Sequence, residues 1–130
     1  MKSKYMAVGG VIVIGAVLFY FLRKSQGPGV QVALEWDESG PYAPNTSHIV
    51  TITLHNPTQQ DWIYSHALLI GGYNQGNYFG NLITAGQSLT KPMGVLIPPE
   101  YGTYSVVVEV SEDTTGQSLG SFSFGNITVG

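Results

Sequence analysis

Few side chains in this sequence can do acid–base, metal or nucleophilic chemistry, and their spacing works against it. The histidines are His48, His55 and His66, and there is no cysteine. His48 and His55 lie seven residues apart in one alternating run, so on a strand they point to opposite faces and cannot grip one ion together. Neither an HxH nor an HExxH spacing occurs, so no metal ligand is assigned. The carboxylates that pair up, Asp37-Glu38 and Glu112-Asp113, sit in turns. Calcium chelation would need further converging oxygens and the ordered DxDxDG type of loop, which is missing. No GxSxG elbow and no glycine-rich phosphate loop is present. The reading is of a non-enzymatic chain with no catalytic residue and no cofactor.

The most informative polar segment is Gly71-Gly-Tyr-Asn-Gln-Gly-Asn-Tyr-Phe-Gly-Asn81. Tyr73, Asn74, Asn77, Tyr78 and Phe79 stand among glycines there, the composition of adaptable contact loops, in which aromatics offer area at low entropic cost. They are the candidate residues for touching a partner protein or a glycan. The plainer alternative is a hairpin whose rings pack on the edge of the domain.

The elements that must position these residues follow from charge and periodicity. The chain has 130 residues and only 10% charged ones. Four of the five bases (Lys2, Lys4, Arg23 and Lys24) fall in the first 24 positions, whereas all eight acids lie from Glu35 onward. After residue 24, one base stands against eight acids, a net −7. Two differently built parts are joined here. Residues 5–22, YMAVGGVIVIGAVLFYFL, carry no charge. As a helix they would span about 27 Å, close to the hydrocarbon thickness of a bilayer. Tyr5 and Tyr20 would lie near the two interfaces, with Val11, Ile12, Val13, Ile14, Leu18, Phe19, Phe21 and Leu22 in the apolar core. A cleaved signal peptide is the rival, but the run is long and meets Arg23-Lys24 rather than a small-residue cleavage site.

The expected organisation is a short basic tail (1–4), a transmembrane helix with its basic flank (5–24), a breaker-rich linker (25–29) and a β domain (30–130). Beyond the linker the hydrophobic period is two. Val30, Val32, Leu34 and Trp36 alternate, as do Val50, Ile52 and Leu54, and then Tyr104, Val106, Val108 and Val110. Trp62–Ile70 reads as a longer apolar strand, Tyr78–Ile83 as a short one, and Leu89–Ile97 as a stretch broken by Lys91-Pro92. Phe122 to Val129 alternates across a bulge expected at Gly125-Asn126. About seven strands in some hundred residues imply an all-β, immunoglobulin-like antiparallel sandwich behind one N-terminal transmembrane helix.

The run Val50-Thr-Ile-Thr-Leu-His-Asn56-Pro, then Leu82-Ile-Thr-Ala-Gly86-Gln-Ser-Leu, then Pro98-Pro-Glu-Tyr-Gly102-Thr-Tyr-Ser-Val-Val-Val-Glu-Val110 resembles a CARDB-type or related bacterial and archaeal immunoglobulin-like module. The resemblance covers residues 46–112. It departs from the pattern at Asn56-Pro57 and in the Gly/Asn/Tyr-rich insertion after Ile70. It implies the fold and a role in adhesion or assembly, and transfers no catalytic residue.

With one base after residue 24, the domain has no electrostatic footprint for nucleic acid. Charge is also depleted in the cores of protein interfaces, so a charge-poor small domain suits one packed among neighbours. The expected role is a membrane-anchored structural subunit of a larger assembly, such as a membrane-containing virion or a cell-surface layer. Its partners would be the bilayer through residues 5–22, other structural proteins and further copies of itself, with the domain on the extracytoplasmic or outer side. A pilin-like filament subunit and a tethered adhesion or glycan-binding module are the alternatives.

Overall fold

A computed structural model describes residues 10–14, 17–22 and 28–130. Seven strands build the sandwich: β3 (Val30–Trp36), β4 (Ser47–His55), β5 (Trp62–Ile70), β6 (Tyr73–Ile83), β7 (Ser88–Leu96), β8 (Gly102–Glu112) and β9 (Ser118–Val129). All pair antiparallel; β3, β4 and β7 lie in one sheet, and β6, β5, β8 and β9 follow in that order in the other. The alternation read from the sequence sets which side chains meet between the sheets. Val30, Val32, Val50, Ile52, Leu54 and Val95 face Leu68, Ile70, Val106, Val108, Val110 and Phe122 in one core. Each such side chain contributes roughly 1.5–3 kcal/mol on burial.

The apolar run ahead of the linker differs from the helix expected over 5–22. Gly10–Ile14 forms β1 and Val17–Leu22 forms β2, an antiparallel hairpin that pairs with β3, Leu18 opposite Leu34 and Leu22 opposite Val30. Val11, Ile12, Val13, Ile14, Leu18, Phe19, Tyr20, Phe21 and Leu22 are thus in strands, while Tyr5 lies outside the described residues. The cause is legible in the composition. β-Branched and aromatic residues favour the extended chain, and the β3 edge offers a row of backbone groups to pair with. Among the described residues no helix is long and apolar enough to cross a membrane.

Two other boundaries shift. β6 begins at Tyr73 rather than Tyr78, so the glycine-rich segment is a strand entered through a turn at Gly71-Gly72. β7 runs unbroken through Lys91-Pro92, with Pro92 opposite Thr51. An edge strand tolerates proline because the missing N–H faces no partner. The bulge foreseen near Gly125 is present: the β8–β9 register slips between Ser105 and Val107, and Gly125 takes φ +79°.

Because successive strands are antiparallel, the β3–β4, β5–β6 and β7–β8 loops gather at one end, the tip. The chain enters at the other end, the base, where Gly29 accepts a 2.7 Å hydrogen bond from the buried Tyr64 hydroxyl. Of the charged residues from 28 onward, Asp37, Glu38 and Glu100 lie at the tip, and Asp61, Glu112 and Asp113 at the base. Only Glu35, Lys91 and Glu109 fall elsewhere along the strands.

Candidate functional site

The tip is the most constructed part of the molecule. The ten residues between β3 and β4 are held by Tyr42, whose ring is buried and whose hydroxyl donates to the Glu38 carbonyl at 2.7 Å. Its backbone N–H bonds the Thr128 carbonyl at 2.9 Å, and its carbonyl accepts from Gly130 N–H at 3.0 Å, strapping the loop to the end of β9. The Gly40-Pro41 peptide is cis. Trp36 stacks on Tyr42 with ring centroids 4.8 Å apart, and His48 meets Tyr42 edge-on at 4.8 Å.

His48 is buried at the centre of this cluster. Its Nδ1 lies 3.1 Å from Asp37 Oδ1 and 3.5 Å from Glu38 Oε1, and its Nε2 lies 3.1 Å from Thr46 Oγ1. An acid, an imidazole and a hydroxyl in series have the order of a hydrolytic triad, which invites a test of the proton positions. Thr46 donates its hydroxyl proton to the Ala43 carbonyl at 2.6 Å, so its oxygen is left to accept from His48. The series ties Asp37, at the start of the loop, to Thr46 and His48 at its end. Asp37 also accepts from Ile49 N–H at 2.9 Å. That backbone bond, with the His48 contact, holds its carboxyl below the usual carboxylate range.

Beside this cluster a cleft of about 720 Å³ opens between the ends of β3 and β9. Trp36, Tyr42, Phe124 and Ile127 line it, with Glu35 and Glu38 also on its wall. The sequence reading missed it, because Trp36 and Phe124 are 88 positions apart and each passes for an ordinary strand residue. The one visible signal was that Asp37-Glu38 follows an aromatic at the end of a strand.

The residues singled out between 71 and 81 divide. Tyr73 and Phe79 are exposed, at 76% and 71%. Tyr78 is instead half-buried: its ring lies 5.3 Å from the His66 ring, under the Lys91 ammonium at 5.1 Å, and its hydroxyl donates to the Pro92 carbonyl. Asn74 turns back on its own strand, accepting from Gly76 N–H at 2.7 Å and donating to Asn77 Oδ1 at 3.2 Å. Tyr73, Asn74, Asn77 and Phe79 are thus exposed, while Tyr78 is turned toward the other sheet.

His48 and His55 do lie on opposite faces of β4, the second bonding Ser88 Oγ at 2.7 Å. His66 is buried in the core, and neither ring nitrogen has a hydrogen-bond partner. Burial, aided by Lys91, pulls its pKa down to about 4, so the ring is neutral at ordinary pH. No group of three or more potential metal ligands occurs among the described residues. At the base, Glu112 is buried and accepts from the N–H groups of Thr114 and Thr115, at 2.8 and 3.1 Å. These bonds hold its carboxyl below the usual range and close the β8–β9 turn.

No protein-family model matches the chain, and no curated protein matches its sequence. Solved structures do match its fold. The CARDB domain of PF1109 from Pyrococcus furiosus, determined in solution, superposes with a TM-score of 0.63 at 14% identity, covering 80% of this chain and 96% of that one. The crystal structure of that domain in complex with di-metal ions gives 0.56 at 16% identity, covering 79% and 89%. A FixG-related protein from Vibrio parahaemolyticus gives 0.53 at 12% identity, covering 77% and 95%. At these identities the likeness is one of fold: a CARDB-like, immunoglobulin-like β-sandwich. A hallmark of such sandwiches is present as well, since Tyr104 near the start of β8 donates its hydroxyl to the Glu100 carbonyl at 2.8 Å.

Proposed function

We propose that the chain is a non-enzymatic structural subunit, anchored in a membrane by residues 5–22 and packed side by side with neighbours in a larger assembly such as a membrane-containing virion or a cell-surface layer. The observation that carries this reading is the distribution of charge. The broad outer face of the β3-β4-β7 sheet carries one charged residue, Glu35, and that of the β6-β5-β8-β9 sheet one, Glu109. On the first face Thr53 bonds Thr90 and His55 bonds Ser88 across the strands, so the surface is polar yet uncharged. Desolvating such a face against a neighbour costs far less than burying ammonium or carboxylate groups.

The anchor rests on composition. A hairpin made of Gly10–Ile14 and Val17–Leu22 has no charged residue to give to water. A bilayer accepts the eighteen residues 5–22 as a helix with every backbone group satisfied, flanked by Lys2 and Lys4 on one side and Arg23 and Lys24 on the other. In this reading the run leaves the β3 edge on insertion.

Liposome flotation of the full chain, with amide-I infrared dichroism on oriented bilayers, tests the anchor. The chain should float, resist alkaline carbonate and show helix along the bilayer normal. A chain that stays with the soluble fraction removes the anchor. Cross-linking of the reconstituted protein tests the packing: ladders joined through β4–β7 or β5–β8 faces are expected, and monomers alone at high surface density would exclude it.

A further inference from the structure

The tip cleft has a chemistry that its position in the fold does not require. Its walls are aromatic and aliphatic, from Trp36, Tyr42, Phe124 and Ile127, and its two carboxylate-bearing lining residues, Glu38 in the loop and Glu35 at the outer face of β3, are both exposed. From residue 28 onward the sequence has one cation, Lys91, and that side chain lies over the Tyr78 ring in the other half of the sandwich. The cleft is therefore an apolar trough with acidic residues and no cation of its own among its described lining. It is also preorganised: the Tyr42 strap to Thr128 and Gly130, the Tyr42–Glu38 bond and the His48–Asp37 contact fix the loop before anything binds. Little ordering cost remains for a ligand to meet.

We infer that this cleft takes an arginine or lysine side chain from a partner polypeptide. Such a side chain matches both halves of the site. Its aliphatic stem covers the apolar wall, while its charged head meets the aromatic faces and the Glu38 carboxylate, with Glu35 on the rim. The cleft is open along its side rather than enclosed, which admits a residue carried on a passing chain. Aspartate 37 is not recruited, because Ile49 N–H and His48 already occupy its oxygens. This inference is independent of the membrane reading and survives its failure.

The test uses the full chain in detergent micelles with blocked pentapeptides, an arginine between paired glycines and the same peptide with citrulline, which keeps the shape and loses the charge. The indole resonance of Trp36 reports the site. The arginine peptide should shift it saturably, and citrulline should weaken binding about ten-fold or more. The double substitution Glu35→Gln with Glu38→Gln should produce a similar loss while the β-sheet circular dichroism stays unchanged, because Asp37 still holds His48. Equal binding of the two peptides, binding indifferent to the double substitution, or no shift of Trp36 at millimolar arginine peptide would each overturn the assignment.

Discussion

Tyr78 in β6 donates its hydroxyl to the backbone carbonyl of Pro92 in β7, joining the edge strands of the two sheets. Gln75, three residues earlier, accepts from Leu96 N–H at 3.2 Å along the same opening. The side of the sandwich is thus closed by side chains of one sheet reaching the main chain of the other. Tyr78→Phe should cost about 1 kcal/mol in urea unfolding, the net worth of one hydrogen bond. Tyr78→Ala should cost more, about 2–4 kcal/mol, as the cover over His66 is lost too. Faster amide exchange confined to β7 would localise the effect.

His66 makes stability depend on pH. Its folded pKa, about 4, lies below the ordinary 6.5, so the unfolded chain binds more protons between these values. The His66 contribution should fall as pH drops from 6.5 to 4 and change no further below, a loss of about 3 kcal/mol. His66→Leu should remove most of that slope, measured as denaturation midpoints across the window. A smaller slope of the same sign remains from His55, whose pKa burial also lowers.

Below this window the carboxylates take over. Glu112 and Asp37 are held below their ordinary pKa values, so each contributes stability above that value and loses it as pH falls through the folded one. Glu112→Gln should therefore lower stability at neutral pH and flatten the acid limb. A titration of unfolding midpoints below pH 4.5 checks it.

Gly71 sits at φ +59°, donates its N–H to the Ser105 carbonyl at 2.8 Å, and would place a Cβ 2.8 Å from the Tyr104 ring. Gly71→Ala should cost about 1–3 kcal/mol through backbone strain and displacement of the ring. Because Tyr104 also makes the hydroxyl bond to Glu100, Gly71→Ala and Tyr104→Phe should be non-additive in a double-mutant cycle.

Tyr73 and Phe79 make the opposite case. Both are exposed, so Tyr73→Ser and Phe79→Ser should leave the unfolding free energy within about 0.5 kcal/mol. Any loss of partner or glycan binding in these variants would then report contact rather than folding.

The sandwich was legible because its core obeys a period of two: Val30, Val32 and Leu34, or Val106, Val108 and Val110, leave one face apolar and one not. Trp62–Ile70 was read to its exact ends. Local composition was ambiguous elsewhere. Gly76 and Gly80 made β6 look like a loop, although pairing with β5 overrides the weak propensity of glycine. The run Val11–Ile14 and Val17–Leu22 carries no period at all, so the same residues serve a strand or a helix. The tip cleft was invisible for a different reason. It exists only once β9 returns beside β3, and nothing along the chain marks that meeting.

The segregation of charge to the two ends has a consequence for the shape of any array. End-on stacking of two copies would set acids against acids, with Asp37, Glu38 and Glu100 at the tip of one and Asp61 and Asp113 at the base of the next, a repulsion that salt screens over roughly 8 Å at physiological ionic strength. Lateral contact meets almost no such repulsion. If copies assemble as proposed, growth would be directed into two dimensions: a one-molecule-thick sheet should form with little regard to salt, whereas layering of sheet upon sheet should require high ionic strength.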